Sequence, residues 1–383
     1  MNKIYKLENQ IKRYEWGSLN LIPEFLGIGN EKDLPYAEMW MGTHSSSLSR
    51  YLTHDTPVDL AQISGELPFL FKLIAVDKPL SIQVHPDKER AAEGFSKEER
   101  LGIALNAFKR SYKDSNHKPE ILCAISPFTL MAGLREISVI QVFLEELSVV
   151  LPPLKQIISP LIRALNTDAL AVFFRILFNI SKLEREYITS FISKKEIDGA
   201  GIITTEQWQL MKKLAALYPD DPAILSPLYL NMLSLLPGQA IFIPSGILHS
   251  YTSGFGVELM AASDNVIRGG LTPKYVDLPQ LMNVADFSPY MPKIHTPAIS
   301  SWHCFDLPCR EFSLAIMQGD EVTASNEIIF PGKGPAICLV TEGRLSAGNL
   351  KFKKGDSFFI PKDTENLSFK GTYSLFAALP GKQ

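Results

Sequence analysis

The sequence predicts a mainly β protein, with two β-barrels of one architecture and an α-helical domain inserted into the first. Three observations carry that prediction. The stretch Gly238 to Tyr251, GQAIFIPSGILHSY, reads as a strand, a turn and a returning strand. The pattern returns at Gly355 to Asn366: Gly238, Pro244, Gly246 and His249 become Gly355, Pro361, Asp363 and Asn366 at a constant offset of 117. An internal repeat of this kind argues for two copies of one barrel. Residues 135–235 form the third observation, since Ser138 to Leu151, Thr167 to Ile180, Lys182 to Ile192 and Thr204 to Leu217 within them show helical spacing and almost no turn residues. The expected division is 1–134 with 236–290 as the first barrel, 135–235 as the insert, and 291–383 as the second barrel.

The hairpin is the organising element. Gly238 permits a tight turn, Ala240 to Ile243 forms a short apolar strand, Pro244 ends its pairing, and Ser245-Gly246 reverses the chain. His249 follows where its side chain can point inward. In the second copy Asn366 stands there, so the first barrel alone is expected to carry a metal site.

With 383 residues, 46% hydrophobic and 21% charged, the chain is long enough for two or three domains with full cores. A net charge of −3 gives no support for nucleic acid or an anionic membrane surface as partner. The four cysteines show no CxxC spacing, which argues against thiolate zinc and a disulfide framework. The first residues, MNKIYKLENQIKRYEW, carry charges throughout, and the richest apolar run, Ala169 to Ile180, is broken by Arg175. The expectation is a cytoplasmic, monomeric protein with no membrane partner.

Along the chain, Tyr5 to Leu52 reads as strand and loop. Phe69 to Val76 is a buried strand, Asp77-Lys78-Pro79 a turn, and Leu80 to His85 a second strand. Alternation puts Ser81, Gln83 and His85 on one face, and Leu80, Ile82 and Val84 on the apolar other. The polar face therefore lines water or a site. Pro86-Asp87-Lys88 opens a helix. In NHKPEILCAISP, Glu120 begins an apolar strand, next to His117 and Lys118, and is either solvent-facing or a ligand. Helices are expected over Ser138 to Leu151, Thr167 to Ile180, Lys182 to Ile192 and Thr204 to Leu217, the last with a Thr204/Gln207 capping box. Asp221-Pro222 signals a further helix through Leu235. Val257 to Ala261 is a strand, and Arg268-Gly269-Gly270-Leu271-Thr272-Pro273-Lys274 a cationic loop. Asp277 to Val284 is a short helix, and Pro289 to Pro297 a linker.

Gln83, His85, Glu120 and His249 form a candidate metal set of two imidazoles, a carboxylate and an amide oxygen. Two histidines with a carboxylate and an open position suit a catalytic rather than a closed structural zinc site. The same set suits Fe(II) or Mn(II), which keeps an Fe(II) dioxygenase and a non-catalytic binding protein as alternatives.

The segments WGS (Trp16 to Ser18), AEMWMGTH (Ala37 to His44), PLSIQVHPDK (Pro79 to Lys88), HKPE (His117 to Glu120), FIPSGILHSY (Phe242 to Tyr251) and VELMAASDNVIRGGLTPKYVD (Val257 to Asp277) run in order through nearly the whole chain. In these the chain resembles the type I mannose-6-phosphate isomerases, zinc enzymes of the cupin superfamily. Ser45 departs from the family's proline after the histidine of the WMGxH segment. The resemblance implies two cupin-type (jelly-roll) barrels and one zinc ion held by Gln83, His85, Glu120 and His249. It implies Arg268 as the active-site arginine, and Ser81 and Lys274 near the substrate phosphate, with Lys88 grouped beside them for substrate binding. The implied reaction interconverts mannose 6-phosphate and fructose 6-phosphate through an enediol, so the partner is a small sugar phosphate. Lys118, His117, Asp264 and Glu258 stay open as the base.

Overall fold

The computed structural model describes residues 4–30, 32–53, 56–196, 201–298, 302–319, 328–330, 334–362, 364 and 367–381. Among them lie an eleven-stranded sheet, which carries the site, and a nine-stranded sheet formed mainly by the last segment. The architecture is mainly β with a helical insert, as the sequence predicts.

The strand His249–Ala261 is the spine of the first barrel. Its second half, Gly254 to Ala261, pairs with Phe69–Val76 on one side, and Gly256 to Met260 pair with Glu120–Ala124 on the other. Its first residues pair with Phe128–Leu134, and His249 with Gln83. The strand thus turns from one wall of the barrel to the other, and the corner falls at Gly254, where φ is 134°. A Cβ there would run into the Phe128 ring at 2.6 Å, so the corner needs glycine.

Strand alternation then separates two cores. Phe71, Leu73, Ile121, Cys123, Val257 and Leu259 point outward and pack with Ile337, Leu339, Phe359 and Phe376 of the second sheet. The opposite face, which includes Lys72, Glu120, Leu122 and Glu258, points into the barrel.

The expected hairpin does not form, because Ala240–Ile243 pairs with Glu120–Ala124 and Ile294–His295 rather than with His249–Ala261. What repeats in the backbone is its first arm. Ala240–Ile243 and Ser357–Ile360 stand 117 residues apart, each entered through a glycine with positive φ, 84° at Gly238 and 90° at Gly355. The expected counterparts Asp363 and Asn366 lie outside the described residues.

The insert runs as helices Ile137–Val150, Pro153–Ile157, Ser159–Arg163, Thr167–Asn179, Lys182–Lys194 and Thr205–Leu217. The Thr204/Gln207 capping box forms. Its core residues Phe173, Phe174, Trp208, Leu228 and Tyr229 continue without a break onto Ile82, Val84, Leu248, Ile267 and Leu271 of the barrel.

Several expectations need correction. The helix from Asp221-Pro222 through Leu235 does not form. Pro222–Leu225 is a 3-10 turn, Ser226–Tyr229 one α turn, and Leu230–Leu235 a strand against Phe128–Leu134. Pro227 is tolerated only in a first helical turn, and LNMLSL alternates like a strand. The strand expected over Leu80 to His85 is ladder-paired only at Gln83–Val84, although Ile82 still exchanges hydrogen bonds with Gly269 and Gly270. Leu80 packs in the barrel core, apart from Ile82 and Val84. Within the linker, Ile294–His295 pairs with Ala240–Ile241. Finally, Tyr5–Glu8 joins the second sheet, pairing with Phe358 and Phe359 on one side and with Arg50 and Tyr51 on the other. The opening strand thereby covers an edge of Ser357–Ile360 that would otherwise lie open.

Candidate metal centre and active site

The ligand candidates come from separate strands of one barrel wall. Gln83 stands opposite both His249 and Arg268 in the antiparallel register. His85 follows this strand, and Glu120 is the first residue of its own. Each of the three strand positions has a neighbour in sequence buried in the helical core: Ile82 and Val84 beside Gln83, Leu248 beside His249, Ile267 beside Arg268. Alternation turns those apolar neighbours toward the insert and the polar side chains into the barrel. The insert therefore supports the site from behind.

His85, Glu120 and His249 are fully buried and bring ligand atoms within 4.8 Å of one another. The His249 Nε2 lies 3.0 Å from Glu120 Oε1, and the His85 Nε2 lies 3.4 Å from Glu120 Oε2. The Nδ1 atoms are already committed: His85 donates to the Asn265 carbonyl at 2.6 Å, and His249 to the Ile247 carbonyl at 2.8 Å. These bonds fix the tautomer, leaving each Nε2 with a lone pair. Both Nε2 atoms are buried with no hydrogen-bond partner among the described residues. Two lone pairs facing a carboxylate repel unless a cation lies between them, so this donor set fits a divalent metal. Burial, reinforced by Lys118, pushes the His85 pKa down to about 4, which keeps that imidazole neutral and available. Gln83, half-buried, stands opposite both His249 and Arg268 in register.

A buried polar network continues from the ligands. Tyr251 Oη donates to Glu120 Oε1 at 3.0 Å, and Lys118 Nζ lies 3.9 Å from Glu120 Oε2. Across the strand pair, Lys72 faces Glu258 at 2.9 Å and also reaches Glu38 at 3.4 Å, while Trp40 Nε1 donates to Glu38 at 2.7 Å. Burial would strip the proton from Lys72, but Glu258 and Glu38 more than reverse this and raise its pKa. Sequence reasoning missed Lys72, Glu38 and Tyr251. A lysine within the apolar run FLFKLIAV was the available signal, because a charge on a fully buried strand needs a partner.

Asn265 was also missed. Its fully buried amide accepts from the Lys113 N–H at 2.7 Å and donates to the Asp114 and Asn116 carbonyls at 2.8 Å each. This fixes the backbone carbonyl that orients His85.

The remaining candidates are dispersed around this centre. Arg268 is half-buried, and burial lowers its pKa; burial and then Arg268 itself lower that of Lys274. Ser81 is half-buried two residues before Gln83, and Lys88 is exposed at the start of helix Lys88–Arg100, whose N-cap is Asp87. Two base candidates are engaged elsewhere: Asp264 is exposed and lies 3.2 Å from His44, which keeps it ionised, and His117 Nε2 lies 2.7 Å from Glu311.

Barrel and ligand set together define a metal-binding cupin. The catalytic domain of type I phosphomannose isomerase matches residues 4–137. The mannose-6-phosphate isomerase of Salmonella typhimurium is 35% identical, over 97% of this chain and 98% of its own. That of Escherichia coli is 34% identical, over 96% and 97%. Among solved structures, mannose 6-phosphate isomerase from Salmonella typhimurium, bound to substrate (f6p) and zinc, superposes with a TM-score of 0.86. It is 32% identical, and the match covers 99% of this chain and 100% of that one. A zinc-bound mannose 6-phosphate isomerase matches with the same score and coverage. The chain belongs to the type I mannose-6-phosphate isomerase family.

Proposed function

We infer that this protein is a zinc-dependent aldose–ketose isomerase that interconverts mannose 6-phosphate and fructose 6-phosphate. The observation that carries the reading is the pair of buried Nε2 atoms, without hydrogen-bond partners among the described residues, turned onto the Glu120 carboxylate. Family membership and the zinc-bound relatives weigh against the Fe(II) dioxygenase alternative, and the intact donor set weighs against a lapsed, non-catalytic binder.

His85, Glu120 and His249, with Gln83, would hold one zinc ion, which supplies a Lewis acid for the negative charge that develops on the substrate oxygens. Isomerisation moves a proton between C2 and C1, with charge gathering on O1 and O2. Arg268 provides a charge that no proton transfer can remove, which suits it to an anionic group at the mouth. Lys274, Ser81 and Lys88 are assigned to the phosphate side. Of the base candidates, Lys118 lies at the ligand carboxylate, 3.9 Å away, while His117 and Asp264 are held by Glu311 and His44. Glu258 is occupied with Lys72 at 2.9 Å. We therefore assign proton transfer to Lys118, with Arg268 holding the charge.

We assign 1–134 with 236–290 to the unit that carries the site, 135–235 to its helical support and 291–383 to the second barrel, except that Tyr5–Glu8, Arg50–Thr53 and Thr56–Asp59 pair into the second sheet, and Leu230–Leu235 and Ile294–His295 into the first. Among the described residues no helix is long and apolar enough to cross a membrane. We place the protein in the cytoplasm, as a monomer. A coupled assay with mannose 6-phosphate, with a single-residue test at Lys118→Met, checks the reading: turnover must vanish in the variant while zinc is retained.

A further inference from the structure

We propose that Asp221, in the helical insert, is a positioning residue that sets the cationic loop between Arg268 and Lys274, and hence the affinity for the sugar phosphate. The second half of that statement rests on the isomerase reading above. Asp221 is the residue at which the insert grips the loop. One carboxylate oxygen accepts from the Ala223 N–H at 2.9 Å and so caps the turn Pro222–Leu225. The other accepts from the N–H groups of Leu271 at 2.7 Å and Thr272 at 3.4 Å.

The loop backbone is shaped around this contact. Gly270 and Leu271 have φ of 107° and 54°, a conformation that a leucine adopts only when its surroundings impose it. Successive N–H groups in such a turn make a small concavity for an anion, and here the carboxylate fills it. A Cβ on Gly270 would collide with the Ala223 side chain, so the loop backbone packs directly against the insert. On its far side the loop is bonded to the site strand: Gly269 N–H donates to the Ile82 carbonyl at 2.7 Å, and Ile82 N–H to the Gly270 carbonyl at 3.0 Å. The loop is therefore clamped between Asp221 and the strand that carries Gln83. Arg268 and Lys274 leave from its two ends.

Asp221→Ser separates the two roles of the carboxylate. Serine still caps the turn, but its shorter side chain does not reach Leu271. In the zinc-loaded protein, Asp221→Ser is expected to raise KM for mannose 6-phosphate about tenfold, the loss of one charged hydrogen-bond set, with kcat and zinc content near wild type. Asp221→Asn offers one acceptor oxygen where two are used and, with that oxygen turned onto Leu271, is expected to restore part of the affinity. A wild-type KM in Asp221→Ser overturns the proposal, as does a lowered melting temperature with KM unchanged, the signature of a cap alone. Absence of turnover in the wild-type protein tells instead against the isomerase reading. Asp221 is then judged on calorimetric affinity for inorganic phosphate, which falls by the same factor in Asp221→Ser if the residue sets the loop and is unchanged if it does not.

Discussion

His249 presents its Nε2 to Glu120 Oε1 at 3.0 Å while its Nδ1–H is tied to the Ile247 carbonyl at 2.8 Å, all inside a fully buried pocket. The imidazole cannot turn away to satisfy Nε2 elsewhere without breaking the bond at Nδ1. Zinc should therefore stabilise the fold as well as enable turnover. At a free concentration a hundredfold above Kd, ligand binding raises stability by about 2.7 kcal/mol. His249→Ala should lose most of that increment, measured as the shift in melting temperature on adding zinc. An unchanged zinc-induced shift would reject His249 as a ligand.

Arg268 should behave differently. It stands beside Gln83 in register but offers no lone pair to a metal. Arg268→Ala is expected to keep its zinc by metal analysis and lose turnover by roughly two orders of magnitude or more, the scale of removing a preorganised charge. Retained turnover rejects the role.

Lys72 is buried with Glu258 at 2.9 Å and Glu38 at 3.4 Å. Lys72→Met leaves two buried carboxylates without their cation, and such a break typically costs about 3–5 kcal/mol. Denaturant unfolding should report a loss of this size. Adding Glu258→Gln should recover part of it, because the two effects are coupled.

The metal-free protein should weaken in mild acid. The folded-state pKa of His85 is depressed to about 4, from an ordinary value of 6.5. Between these values the unfolded chain binds the proton and the folded chain does not, so stability rises with pH across that window. The contribution is present above about 6.5 and is lost on falling toward 4. Chelated wild-type and His85→Asn proteins, unfolded in denaturant at a series of pH values, should differ in slope there. Parallel curves would contradict a neutral buried His85.

Much of this was legible in the sequence. Strand alternation was enough to put Gln83 and His85 on the polar face, and the offset of 117 between two Gly-to-Pro strand segments pointed to the second barrel. The Thr204 capping box is a local signal and was readable as such. Non-local pairings were less accessible. Nothing near Tyr5 indicates that its strand mates with Phe359, more than three hundred residues away. The strand Leu230–Leu235 lay hidden behind a strong helix-start signal at Asp221-Pro222. The carboxylate of Asp221 caps its turn as that signal implies, but its other oxygen serves a loop fifty residues on. The network around Lys72 spans three strands, and only their register reveals it.

The most direct test of the account is the conversion of mannose 6-phosphate to fructose 6-phosphate in a coupled assay, run on metal-loaded protein, after chelation, and after zinc is returned. The arrangement of His85, Glu120 and His249 predicts turnover that chelation abolishes and zinc restores. Freshly zinc-loaded protein that leaves mannose 6-phosphate unchanged would contradict it.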